Sequence, residues 1–229
     1  MLGALLGDAF GRPLEGTDGH DSRLPGWVER RRCGSDPLGY SDDTEMMIFV
    51  AESILECGRV DADHLLRWMA THYEPARGYG KGARAAFAAA ARGVPTSEAS
   101  CSAWSEGSKG NGAAVRVAAI ACLYSADDES LTSAVTASAT VTHAHPTAVD
   151  GAVVMARATS AVLRTHRGEI PDADSFVACL EPTDSTFAEK LGLVPALVRA
   201  RASTAEAVAA LGNGVLAIDS VPLALLKRA

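Results

Sequence analysis

The run Ser41-Asp42-Asp43-Thr44-Glu45 sets two adjacent carboxylates between hydroxyls, giving several hard oxygen donors within one helical turn. Mg²⁺ or Ca²⁺ takes ligands of that kind. The same residues also suit a helix start. Asp42 with Glu45 three positions on has capping-box spacing, and acids in a first turn favour the helix dipole. The two uses are compatible, because a capping Asp can still offer an oxygen to an ion. Two carboxylates alone do not complete a metal site, so further ligands must converge from other segments.

Three other segments carry candidate chemistry. In Gly3-x-x-x-Gly7-Asp8-Ala9-x-Gly11, small residues at 3, 7 and 11 fall on one helical stripe, which permits a close helix approach. Glu15 follows just past the helix end. It reads as a solvated loop glutamate, as a group behind a metal, or as a general acid/base. Gly107-Ser-Lys-Gly-Asn-Gly112 precedes a helical pattern, and glycines before a helix start allow backbone N–H groups to approach a phosphate. The spacing is not that of a Walker loop, and an ordinary flexible loop is the alternative. Gly78-Tyr79-Gly80-Lys81-Gly82 is a weaker instance of the same kind. In Thr142-His143-Ala144-His145-Pro146 the two imidazoles are two positions apart, which on a helix puts them on different faces and argues against a zinc pair. They read as helix-end histidines or as donors to a polar ligand such as a ribose.

The elements that must hold these groups are helical almost throughout. The chain has 229 residues, 48% hydrophobic and 21% charged, so it is globular. Alanine occurs 43 times and aromatics make up 5% of residues, a composition for close-packed helices rather than sheet. Periodicity predicts helices over 2–10, 43–57, 62–73, 82–92, 112–124, 129–143, 147–166, 185–199 and 203–211. A last helix is predicted from near Ser220, with Pro222 in its first turn. Residues 14–40 read as a long loop and 96–110 as a polar one. The expected fold class is all-α, a single compact multi-helix domain over 1–229.

The formal net charge of −7 gives no basic footprint for nucleic acid. No apolar run is long enough to cross a membrane. Five cysteines, at 33, 57, 101, 122 and 179, form no C-x-x-C pair, which disfavours a disulfide framework or zinc site and fits a reducing, cytoplasmic setting. No G-x-S-x-G elbow is present.

In order, the segments GALLGDAFGRPLEG (3–16), SDDTEMM (41–47), GYGKG (78–82), GNGAAVRVA (110–118), THAHPTA (142–148) and GNGVLAIDSVPLAL (212–225) resemble the ADP-ribosylglycohydrolase family. The resemblance spans essentially the whole chain. It implies an all-α fold with a pair of Mg²⁺ or Mn²⁺ ions in a central cleft. It also implies hydrolysis of the bond between C1″ of ADP-ribose and an acceptor, on an ADP-ribosylated protein or a small-molecule ADP-ribose conjugate. Carried over by position, Ser41, Asp42 and Asp43 match the family's metal ligands, with Ser in place of Thr. Glu15 matches the loop glutamate near the metals, and Glu15, Asp42 and Asp43 are the expected catalytic set. Gly80, Gly110, Asn111 and Gly112 match backbone that cradles diphosphate and ribose, and His143 with His145 matches the histidine region beside ribose and adenosine.

One departure accompanies the resemblance. The family's second acidic motif, whose two Asp and a Thr complete the metal pair, comes after the stretch resembling 212–225, and no equivalent occurs in these residues. The expectation is a domain lacking that C-terminal metal-binding segment, with the second ligand set of a binuclear site absent. A catalytically impaired ADP-ribose-binding module and a structural helical protein are the alternatives.

Overall fold

The computed structural model describes residues 1–16, 26, 29–30, 34, 39–165 and 172–226. Most of the predicted loop 14–40, with Cys33, lies outside them, as does residue 166 of the predicted helix 147–166. Among the described residues there is no strand, only one isolated antiparallel bridge between Gly110 and Leu216. The all-α expectation holds.

The helices run in order as α1 (Leu2–Gly11), α2 (Asp42–Cys57), α3 (Ala62–His72), α4 (Lys81–Ala91), α5 (Thr96–Ala99), α6 (Ala118–Tyr124), α7 (Asp128–Ala139), α8 (Pro146–Arg164), α9 (Ala173–Ala178), α10 (Ser185–Arg199), α11 (Thr204–Leu211) and α12 (Ala217–Leu226). Short 3₁₀ turns lie at Arg12–Leu14, Pro75–Arg77 and Asn111–Ala113. Local chemistry sets most starts. Ser41, Asp61, Asp127, Asp172 and Asp184 accept backbone N–H groups of the turn they open. Ser203 and Glu206 form a complete capping box at α11. Gly58 ends α2 in the left-handed region, at φ +69°, which a glycine adopts without strain.

The pillar of the fold is α8, which packs against α6, α7 and α12. It buries Ala148, Ala152, Val153, Val154, Ala156 and Ala158. Small side chains let neighbouring axes come close. A Cβ on Gly151 would lie 2.9 Å from the Ala217 Cβ of α12 and 3.3 Å from the Phe187 ring of α10. The alanine-rich α4 works in the same way, burying Ala83, Ala86 and Ala89 beside Phe87 against α3.

Several boundaries differ from expectation, and the differences shape the site. The predicted helix 112–124 opens instead as a 3₁₀ turn and becomes α-helical only at Ala118. The Asn111 carbonyl accepts from both Ala114 and Val115 N–H, which tightens the turn. The predicted helix 129–143 ends at Ala139, whose carbonyl accepts from both Thr142 and His143 N–H, so His143 leaves the helix. The last helix starts at Ala217, and Pro222 sits inside it rather than in its first turn. Its start is set by the Leu216 carbonyl, which accepts from Asp219 and Ser220 N–H. α5 and α9 were not expected. The stripe Gly3, Gly7, Gly11 does not mediate a helix approach among the described residues, since a Cβ on any of the three meets nothing within 4 Å.

These contrasts predict opposite signs for two glycine substitutions. Gly151→Ala should destabilise by about 1–3 kcal/mol through overpacking. Gly7→Ala, in the open interior of α1, should stabilise by about 0.5–1 kcal/mol through lower unfolded-chain entropy. Urea midpoints measure both, and equal shifts would contradict this packing.

Candidate active site

The site is built around the start of α2. Asp8, at the far end of α1, accepts four hydrogen bonds from it. Ser41 donates through N–H (2.8 Å) and Oγ–H (2.6 Å), and Thr44 through N–H (3.3 Å) and Oγ1–H (2.6 Å). An anion thus takes up the free amides of the helix terminus and complements its dipole. Ser41 Oγ also accepts the Asp43 N–H at 3.1 Å. With Ser41 and Thr44 committed to Asp8, the Asp42 and Asp43 carboxylates are left to face a cavity of about 1510 Å³, larger than the ~300–1,000 Å³ of an ordinary small-ligand pocket.

Among the described residues no cation forms an ion pair with either carboxylate. Burial raises Asp42 to about 6, and Glu15, Asp8 and Glu45 add repulsion. Burial, with repulsion from Asp42, Asp8 and Glu15, raises Asp43 to about 7. Groups strained in this way gain from any cation that enters. Among the described residues no group of three or more His, Cys, Asp or Glu is arranged to hold a metal ion by itself. The donor set fits one hydrated hard ion, because Mg²⁺ characteristically binds through one or two carboxylates and keeps waters or substrate oxygens for its remaining positions. Ser41 Oγ, which already donates once and accepts once, has one lone pair left for that purpose.

A second buried acid aligns the wall beside these two. Glu45 accepts the Arg77 Nε–H at 2.7 Å, the Tyr79 hydroxyl at 2.6 Å and the Glu74 N–H at 2.9 Å. Burial and this carboxylate push the Tyr79 phenol above its ordinary value. Arg77 and Arg12 both donate to the Tyr40 carbonyl, and the Arg77 guanidinium lies 3.8 Å above the Tyr40 ring. Segments 40–45 and 74–80 are therefore fastened together, which sets Gly78 against Asp42: a Cβ there would lie 3.3 Å from Asp42 Oδ1.

The far end of the cavity is made by the glycine turn and its supports. Ser41, Asp42, Asp43, Glu15, Gly80, Gly110, Asn111, Gly112 and His143 all line this one cavity. His145 is not among its lining residues. It is the N-cap of α8, where Nδ1 accepts the Thr147 N–H at 3.2 Å. The glycines at 107–112 answer mainly to packing. Gly107 has φ +83°, and a Cβ on it would lie 2.6 Å from His145 N, while one on Gly112 would lie 2.8 Å from His143 Cε1. Two expected cradle amides are already engaged, Gly110 N–H with Ser108 Oγ (3.2 Å) and Asn111 N–H with the Val215 carbonyl (3.0 Å). Ala217 N–H donates to the Lys109 carbonyl, so the turn is pinned to the 213–217 segment, which closes the cavity on that side.

Cations near the turn escaped sequence reasoning. Lys81 and Lys109 line the cavity, and Lys81 Nζ lies 5.5 Å from the Trp104 ring centroid. One cavity is thus lined by Asp8, Glu15, Asp42 and Asp43 with Arg12, and by Lys81, Lys109, Glu106, the glycine turn and a neutral histidine. The family model for ADP-ribosylglycohydrolases matches residues 1–228.

The chain belongs to the ADP-ribosylglycohydrolase family.

It is accordingly an enzyme of the glycosyl-hydrolase kind. ADP-ribosylhydrolase ARH3 of Xenopus tropicalis is 30% identical over 251 residues, covering 98% of this chain and 71% of the relative. ADP-ribosylhydrolase ARH3 of Homo sapiens is 29% identical over 259 residues, covering 98% and 70%. An uncharacterised protein of Archaeoglobus fulgidus is 32% identical over 234 residues, covering 98% and 73%.

The site yields two checks on its electrostatics. Glu45→Gln keeps the side-chain size but cannot accept from all three donors and strips Arg77 of its counter-charge. It should lower stability by about 2–3 kcal/mol, and an unchanged urea midpoint would contradict the role given to Glu45. Burial, then the nearby Arg116 charge, lowers His143 to about 3. Between about pH 6.5 and 3 the unfolded chain takes up a proton that the folded ring refuses, so this group's contribution to stability falls as pH falls. By NMR the His143 ring should show no titration between pH 5 and 8, and a midpoint near 6.5 would contradict its burial.

Proposed function

We propose that this chain is a Mg²⁺-dependent hydrolase (Mn²⁺ is the alternative ion) of the N- or O-glycosidic bond between ADP-ribose and an acceptor, which is a protein side chain or a small molecule. The observation that carries this reading is that Glu15, Asp42 and Asp43 share one large cavity with the glycine turn, Lys81 and Lys109. A nucleotide sugar asks for both sets, carboxylates about the ribosyl centre to be cleaved and cations with backbone amides for the diphosphate. Lys81 and Lys109 supply charge for the diphosphate in a protein whose net charge is negative.

When bound, Mg²⁺ supplies Lewis-acid polarisation and a lower pKa for a coordinated water. Asp42 and Asp43 would hold it, and Ser41 Oγ could offer its remaining lone pair. Glu15, an exposed residue of the cavity lining, would take the proton of the attacking water. The water oxygen bonds to C1″, the bond from C1″ to the acceptor breaks, and the acceptor leaves with its bonding electron pair and gains a proton. The carboxylates around the ribosyl centre stabilise positive charge as it develops there. Contacts at the lysine end bind the diphosphate and so orient the distant C1″. Free thiols at Cys57, Cys101, Cys122 and Cys179 fit a reducing cytoplasmic setting. No described helix is long and apolar enough to cross a membrane.

Incubation with ADP-ribosylated arginine, ADP-ribosylated serine peptide and O-acetyl-ADP-ribose tests the reading. ADP-ribose should be released from at least one of them, with release abolished by chelator and restored by Mg²⁺. Asp43→Asn should lower the rate by at least ~100-fold, the scale of losing one positioned electrostatic group. No release from any substrate, with ADP-ribose binding that ignores chelator, would leave a catalytically impaired binding module instead.

A further inference from the structure

Arg116 is among the largest fully buried side chains and lies just beyond the glycine turn. No carboxylate among the described residues pairs with it. Its guanidinium instead donates to the Ser138 and Ala139 carbonyls and to Ser138 Oγ, at the C-terminal end of α7. The negative end of that helix serves as its counter-charge. A further bond leaves this cap, with Nη1 donating to Thr142 Oγ1 at 2.8 Å.

The placement of protons fixes the direction of the next bond. A guanidinium only donates, so the Thr142 oxygen accepts, and the hydroxyl proton must find its own acceptor. Thr142 is fully buried, and His143 Nδ1 lies 2.7 Å from its oxygen. If Nδ1 carried a proton and donated to Thr142, the hydroxyl proton would be buried without a partner, which is costly. If Thr142 donates to Nδ1, all three groups are satisfied. A neutral ring that accepts at Nδ1 carries its proton at Nε2. That nitrogen has no partner among the described residues. It faces the glycine turn, where positions a Cβ would take on Gly110 and Gly112 lie 3.3 and 3.0 Å from it.

We propose that Arg116 and Thr142 are positioning residues that lock His143 in its Nε2–H tautomer, so that the ring offers the cavity a permanent hydrogen-bond donor to a ligand oxygen. Burial, and after it the charge of Arg116, keeps the ring neutral, so the donor does not change character across the physiological pH range. The far end of the cavity accordingly selects a ligand with an acceptor oxygen, a hydroxyl or a phosphate oxygen, at this point. That selection rests on the ADP-ribose reading, whereas the tautomer does not.

The test is the two-bond proton–nitrogen spectrum of the histidine rings in the ¹⁵N-labelled full chain, with His143 assigned by its loss in His143→Asn. The wild type should show an Nε2–H ring at pH 7. Thr142→Val should shift it toward Nδ1–H or a mixture, and Thr142→Ser should keep it. ADP-ribose affinity by calorimetry should fall about three- to tenfold in Thr142→Val and recover in Thr142→Ser. A wild-type Nδ1–H ring, or an unchanged ring in Thr142→Val, would overturn the proposal. Should Thr142→Val not fold, the wild-type spectrum decides the matter. An Nε2–H ring in a protein that binds no ADP-ribose would uphold the lock and reject the nucleotide reading.

Discussion

The site depends on the anchoring of one helix end by one carboxylate. Asp8 takes up the amides and hydroxyls of Ser41 and Thr44. That leaves Asp42 and Asp43 side by side, partly desolvated and turned to the cavity. An isolated pair of acids in such a place would repel, and their raised proton affinities record that cost. On the proposed reading, a bound cation offsets that cost. The cost is tolerable because the surrounding wall is overdetermined. Glu45 gathers three donors from 74–79, and the Tyr40 carbonyl gathers two arginines, so the two acids have little freedom to turn away.

The far end obeys the same logic with the signs reversed. Arg116 is a cation placed where water cannot reach, and it is tolerated because the carbonyls ending α7 face it. The early end of α7 therefore does more than shorten a helix. It frees Thr142 and His143 from helical geometry and sets the His143 ring against Gly110 and Gly112. The glycines are small to admit an imidazole, which explains why the turn needs them even though two of its amides are engaged in the fold itself.

Much of this was legible in the sequence, and what was legible was mostly local. Asp42, Asp43, Gly110, Gly112 and His143 stand in short motifs whose residue types already suggest ions and polar ligands, and all five line one cavity. The all-α class came from alanine and helical periodicity. What could not be read were partners far apart in the chain. Asp8 is 33 positions from Ser41, and Glu45 is 32 from Arg77, so neither could be linked by spacing. His145 looked equivalent to His143 by composition, but as the cap of α8 its ring is occupied by the Thr147 amide. The glycine stripe of α1 suggested close packing because small residues permit it, yet permission is not contact, and that stripe meets nothing among the described residues. The one sequence signal for Arg116, an arginine inside an apolar run after the glycine turn, was present at Val115-Arg116-Val117 and carried no chemistry until its helix-end partners were seen.

The acidic end and the glycine end are held to serve one ligand at once. A crystal structure determined with ADP-ribose and Mg²⁺ tests this most directly. Electron density is expected for an ion against Asp42 and Asp43 and, in the same cavity, for a diphosphate toward Lys81 and Lys109 with an oxygen facing His143 Nε2. Ligand density elsewhere on the molecule, or an ion held away from both carboxylates while the cavity binds nothing, would contradict it.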